Sequence, residues 1–263
     1  MATHTMMVYS EAGGVTKTTT AVSLAMCAAL DGRQVLLVDL DPRGATTEWL
    51  RLQPEQRGWH SGAILADDNA GEWVGDLVLP SSWSPRLRAI PSARTLSTRE
   101  EGAGDQSDLR LRRALAGLPG QLDVDLIVLD LPNRQGGPIT RNALNAADAV
   151  VYAATLSPDG VAGVDGARTS VERFRAGRRE IGAPEQVVDA GIVAGAWRNP
   201  QIPTRVDKAG LARLEDTGLL LKPVVPHRSI VQECRAAGEW YGNYAKGRPV
   251  MEAYAELTKQ VLA

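Results

Sequence analysis

Short apolar runs punctuate the chain, and most end at a polar or glycine-rich turn. Thr5 to Tyr9, Gln34 to Leu40, Asp125 to Leu131 and Ala149 to Ala154 carry almost no polar alternation. Such runs suit strands buried on both faces. Leu87 to Ile90, Val187 to Ala194 and Leu220 to Val225 extend the series. Between them lie segments with apolar residues at helical spacing: Lys17 to Leu30, Leu109 to Leu118, Asn142 to Ala147, Val164 to Arg179, Asp207 to Thr217 and Glu252 to Leu262. The first helix is followed by Asp31-Gly32, a common stop signal. Strands alternating with helices predict an α/β fold, a mostly parallel twisted sheet with helices on both faces. The stretch from Arg51 to Gly104 is less regular and holds Trp59, Trp73 and Trp83, with Trp49 just before it. No repeat or linker interrupts the pattern, so a single domain over 1–263 is expected.

The first strand runs into Ser10-Glu11-Ala12-Gly13-Gly14-Val15-Thr16-Lys17-Thr18-Thr19, and the first helix follows. Free backbone N–H groups at a helix N-terminus, together with the helix dipole, make this junction an anion site. Gly13 and Gly14 let the backbone approach a phosphate closely. Lys17 is placed to reach β- and γ-phosphates, Thr18 to ligate Mg²⁺, and Thr19 to add a phosphate hydrogen bond. A glycine turn with a lysine after it is also an ordinary strand–helix connection. The acidic residues weigh against that reading. Asp39 and Asp41 end the second strand and Asp130 ends the strand at Asp125 to Leu131. Ligands of open parallel sheets bind at these carboxyl ends. The three carboxylates are therefore expected to face the loop as a Mg²⁺ shell.

Composition narrows the partners. Hydrophobic residues make up 44% and charged residues 23% of 263, and net charge is -2. A nucleic-acid contact then needs a local basic patch. Cys27 and Cys234 match no metal spacing, which suits a reducing cytoplasm. No apolar run reaches transmembrane length, and no signal peptide is expected. Cys27, Trp240, Tyr241 and Tyr244 are expected in the core.

The segments AGGVTKTT, VDLDPRGATTEWL, DLIVLDLPN and AADAVVYAATLSPDGVAGV, with a later strand ending in VVP, resemble the ParA/MinD-type ATPases and their variant Walker A loop. The resemblance covers most of the chain and implies an ATPase using ATP and Mg²⁺. Under it Gly13 to Thr19, Val15 and Thr16 included, bind the nucleotide, and Lys17 and Thr18 hold phosphate and Mg²⁺. Asp41 positions the attacking water, Asp39 and Asp130 are Mg²⁺-associated acids, and Pro226 lies near the adenine. The residues themselves leave adenine versus guanine open. The C-terminus, MEAYAELTKQVLA, lacks the basic amphipathic helix of membrane-bound MinD proteins, so no membrane partner is expected. The N-terminus is too short for an operator-binding helix-turn-helix domain, so a short ParA is expected.

That implies an ATP-dependent homodimer, non-specific DNA binding on the nucleoid, and a ParB-type partner that stimulates hydrolysis in plasmid or chromosome partition. The DNA surface is expected at Arg198, Arg205, Lys208, Arg235, Lys246 and Arg248, in preference to the arginines on the helix Val164 to Arg179. Two residues depart from the family pattern. Ala12 stands where the family's signature lysine reaches across the dimer, and Thr16 stands where it has glycine. Arg43, in place of a glutamine, lies near the site as a candidate substitute for the missing cation, with the solvated surface arginine as the preferred reading. A nucleotide-dependent DNA-binding or filament module with little hydrolysis, or a MinD-like cargo positioner, are the competing readings.

Overall fold

Seven strands form one sheet, and the helices that connect them cover both faces. The structure, a computed structural model, describes residues 3–54, 56–100, 106–184 and 186–263, so the last positions of the irregular tryptophan-rich stretch lie outside it. In chain order the elements are β1 (His4–Tyr9), α1 (Lys17–Leu30), β2 (Val35–Asp39), α2 (Ala45–Trp49), α3 (Ser61–Ile64), β3 (Leu79–Pro80) and β4 (Leu87–Ile90). There follow α4 (Arg110–Ala116), β5 (Leu126–Asp130), α5 (Pro138–Ala146), β6 (Ala149–Thr155), α6 (Pro158–Glu180) and β7 (Val188–Gly195). The chain then continues with α7 (Arg205–Glu215), α8 (Ser229–Ala237) and α9 (Arg248–Val261). Short 3₁₀ turns fill much of the region between α3 and α4.

Strand order is β3-β4-β2-β5-β1-β6-β7. Every pairing is parallel except that of the two-residue edge strand β3 with β4. β1, β2 and β5 are apolar because both their faces are covered. On one face Met7, Leu36, Val38 and Leu129 pack beneath α3 to α6. On the other, Met6, Val8, Leu37 and Val128 pack beneath α1 and α9.

Three sequence expectations change. Leu220 to Val225 is not a strand. It follows β7 through separate contacts: Leu221 N–H donates to the Ile192 carbonyl and Val225 N–H to the Ala194 carbonyl, at 2.9 and 2.8 Å. Only isolated bridges result, at Leu220 and Pro226. Pro223 and Pro226 have no N–H to donate, so a ladder cannot propagate. The helices α2 and α8 have no counterpart among the expected elements, and α2, at five residues, is too short to show a helical period. Gly238, at φ 77, ends α8 and was the available signal.

The α2 and α8 helices meet at an aromatic cluster. Trp49 packs edge-on against Trp83 at 5.8 Å, and Trp240 lies 4.2 Å from Tyr241. Trp49, Trp240 and Tyr241 are buried, as is Cys27 in α1, whereas Tyr244 is exposed and not in the core as expected, its hydroxyl bonded to the Glu239 carboxylate. The Trp49 Nε1 donates to the Glu239 carbonyl and the Trp83 Nε1 to the Gly238 carbonyl, both at 3.0 Å. The Arg51 guanidinium donates to the Ala236 carbonyl. These donors satisfy carbonyls that the end of α8 leaves free. Trp49→Ala empties a fully buried indole site and should lower unfolding stability by about 3–5 kcal/mol. Urea denaturation followed by circular dichroism checks this, and a loss below about 1 kcal/mol would contradict the packing role.

Candidate nucleotide site

The carboxyl ends of β1, β2 and β5 converge because β5 lies between the other two. The register pairs Asp39 with Asp130 and Val8 with Asp130. The glycine loop leaves β1 at this edge and enters α1 at Lys17. Thr16, at the helix N-cap, makes no side-chain capping bond. The first N–H groups of α1 are thus left for an anion.

Thr16 has φ 69 and ψ 17, the left-handed region, and Gly14 has φ 70. A β-branched residue is strained there. The Thr16 Oγ1 is buried with no hydrogen-bond partner. Its side chain faces Gly195 at the end of β7, where an added Cβ would sit 3.1 Å from that oxygen. The start of the loop is tied to α6. Glu11 N–H donates to the Gly163 carbonyl at 3.1 Å, and Ser170 Oγ donates to Glu11 Oε1 at 2.6 Å. Ala12 is in such close contact with α6 that a Cβ on Gly163 would fall 2.5 Å from its methyl.

The Lys17 ammonium donates to the Ala12 carbonyl at 2.6 Å. Burial lowers its pKa to about 8, against the partial support of Asp130 and Asp41. Asp130 accepts from Thr46 Oγ1 at 2.8 Å through one carboxylate oxygen. Its other oxygen is buried without a partner. Burial pushes Asp130 upward while the Thr46 and Thr18 hydroxyls oppose the shift. Asp39 is pushed up by burial and by the neighbouring Asp130 charge.

No group of three acidic, His or Cys side chains able to hold a metal forms among the described residues. Asp39 is spent on the fold. Its Oδ2 accepts the Thr47 N–H and hydroxyl at 2.9 and 2.7 Å, and its Oδ1 accepts the Asp41 N–H at 3.0 Å. It shapes the turn that presents Asp41, whose Oδ1 in turn accepts Arg43 N–H at 2.9 Å. Thr18 and the orphaned Asp130 oxygen remain as a fit for a divalent cation with water completing its shell.

Two cavities meet at the loop. One, of about 280 Å³, is lined by the loop from Gly13 to Thr19 together with Asp41, Arg43, Asn133 and Arg235. The other, of about 240 Å³, shares Gly14, Thr16 and Thr19 and extends along Pro226, His227 and Arg198. Sequence reasoning missed Asn133, which lines this cavity with Gly13, and assigned Arg235 to a DNA surface; Arg43, expected near the site, lines it. Nothing local marks Arg235, since α8 reaches the site only through the fold, whereas Asn133 follows closely on β5 and Arg43 on Asp41.

This layout has known counterparts. A family profile described as an AAA domain matches residues 3–180. The chromosome-partitioning ATPase Soj of Thermus thermophilus is 30% identical over 254 residues, covering 97% of this chain and 93% of Soj. The chain belongs to the ParA-type P-loop ATPase family. Among solved structures, apo McdA of Cyanothece has the same fold, with a TM-score of 0.83 at 20% identity over 100% of both chains. Cobyrinic acid a,c-diamide synthase of Mycobacterium smegmatis, solved with an ATP analogue and magnesium, is 25% identical with a TM-score of 0.75, covering 98% of this chain and 93% of that one. The curated relatives of this ParA-type chain include chromosome and plasmid partition proteins.

The basic residues divide into two sets. On α6, Arg175 pairs with Asp189 at 2.9 Å and Arg179 with Glu172 at 2.6 Å. Arg198, Arg205, Lys208, Arg235, Lys246 and Arg248 are all exposed and make no ion pair with a described residue. Arg205 and Lys208 lie on α7, Lys246 and Arg248 at the start of α9, and Arg198 and Arg235 at the two cavities.

Thr16→Gly removes the strain and the orphaned hydroxyl together. The variant should be more stable by about 1 kcal/mol, raising the melting midpoint by about 2–4 °C. Differential scanning calorimetry reads the shift, and a lower midpoint would mean that the contact with Gly195 outweighs the strain.

Proposed function

We propose that this chain binds ATP with Mg²⁺ at Gly13 to Thr19 and hydrolyses it to drive DNA partition. The observation that carries the reading is a desolvated Lys17 at the bare N-terminus of α1, with Asp41 and Asp130 at the ends of neighbouring strands. A triphosphate satisfies the N–H groups and the ammonium together. Lys17 exchanges the neutral Ala12 carbonyl for a phosphate oxygen, a stronger partner for the ammonium. Thr18 and Asp130 hold the Mg²⁺, which neutralises charge on the phosphate oxygens. Asp41 orients the attacking water, and the base lies along the cavity at Pro226.

In this reading the whole chain is one domain. Two chains associate around ATP, and the dimer binds DNA without sequence preference through Arg198, Arg205, Lys208, Lys246 and Arg248. A ParB-type centromere-binding partner stimulates hydrolysis and release. No described helix is long and apolar enough to cross a membrane, and the proposed setting is the nucleoid in the cytoplasm.

A second reading is favoured by Ala12 and Thr16: a nucleotide-dependent DNA-binding or filament switch with little turnover. A MinD-like positioner of another cargo is separated by loss of plasmid or chromosome inheritance on deletion, which supports partition instead.

Phosphate release with Mg²⁺-ATP, double-stranded DNA and a centromere-binding partner separates the first two. Lys17→Ala should weaken ATP binding by at least about tenfold. Asp41→Ala should keep binding but lower phosphate release by about a hundredfold or more. Release that is equal in wild type and Asp41→Ala rejects the enzyme and leaves the switch.

A further inference from the structure

The α8 helix crosses both cavities. Val231 and Gln232 line the one beside Pro226, and Arg235 lines the one around the phosphate loop. Residues 228, 231, 232 and 235 share one face of a helix, so a single rigid element faces both ends of a bound nucleotide. The position of α8 is tightly specified. Cys234 is buried in the core beside α1 and α9, and Ile230 and Val231 pack against it. Trp49, Arg51 and Trp83 donate to the carbonyls of Ala236, Glu239 and Gly238 at its end. The guanidinium of Arg235 makes no hydrogen bond or ion pair with a described residue, although Asp41 and Glu48 line the same cavity.

We propose that Arg235 of α8, within the same chain, contacts the terminal phosphate of the bound nucleoside triphosphate and supplies the cation that Ala12 cannot. The inference rests on the nucleotide reading above. Loop positions 12 to 14 carry no cation, and Ala12 is pressed against Gly163 of α6. Lys17 alone enters from the helix side. Arg235 and Arg43 line the same cavity as Asp41 and the phosphate loop, so two further cations border the space where the phosphates of a bound nucleotide would lie. A guanidinium matches phosphate oxygens through two donors at once, and its charge is permanent. Triphosphate is then distinguished from diphosphate by a residue that belongs to the same chain and needs no second copy to deliver it. Because α8 also borders the cavity at Pro226, base and terminal phosphate are read by one helix. The aromatic clamp couples that helix to α2, which follows the turn bearing Asp41.

Calorimetric titration of the full chain with a non-hydrolysable ATP analogue and with ADP, both with Mg²⁺, tests this. Arg235→Gln should weaken the analogue about tenfold and change ADP by less than about twofold. Arg235→Lys should recover part of the loss. Melting midpoints should stay unchanged, since the side chain is exposed. Equal weakening of both nucleotides, or of neither, overturns the proposal. So does a variant that keeps its nucleotide affinities but no longer retains a double-stranded oligonucleotide, which assigns Arg235 to DNA. If the unmodified chain binds neither nucleotide, the nucleotide reading itself fails; if it binds both and Arg235→Gln is indistinguishable from it, only the role of Arg235 fails.

Discussion

A lysine ammonium is held out of water where β1 turns into α1, and the surroundings of the site are arranged around that charge. Lys17 is buried, and its present partner is a carbonyl of its own loop. Desolvation disfavours the charged form, and only Asp130 and Asp41 oppose it. An anion at the bare end of α1 removes the conflict.

The acidic side of the site obeys the same constraint. Asp39 and Asp130 are register partners on adjacent parallel strands and are fully buried. Two carboxylates that close cannot both ionise cheaply in a low dielectric. The structure separates their duties. Asp39 takes three hydrogen bonds and builds the turn to Thr47, while Asp130 keeps one oxygen unpaired. A site with one open buried carboxylate oxygen and a nearby threonine suits a hydrated divalent ion better than a cage of acids.

Ala12 and Thr16 bear on different quantities. Thr16 stores strain in the backbone at a left-handed position, a matter of stability. Ala12 removes a charge, a matter of phosphate chemistry. Its contact with Gly163 also shows why a small residue fits there, since α6 passes directly over the loop. The cations that remain at the cavity, Arg43 and Arg235, come from elements distant in the chain.

Much of this was legible in the sequence. The apolar runs identified β1, β2, β4 to β7, and the Gly13 to Lys17 turn located the loop, because strand burial and turn chemistry are written within a few adjacent residues. Family membership followed from the same local motifs. The apolar run at Leu220 to Val225 misled, because its prolines break a ladder that hydrophobicity alone suggests. Which side chains share a cavity was decided only by the tertiary structure. Strand order places Asp39 against Asp130, and docking on Trp49 and Trp83 carries Arg235 to a loop more than 200 residues earlier. Those are consequences of long-range packing, and no local window of sequence contains them.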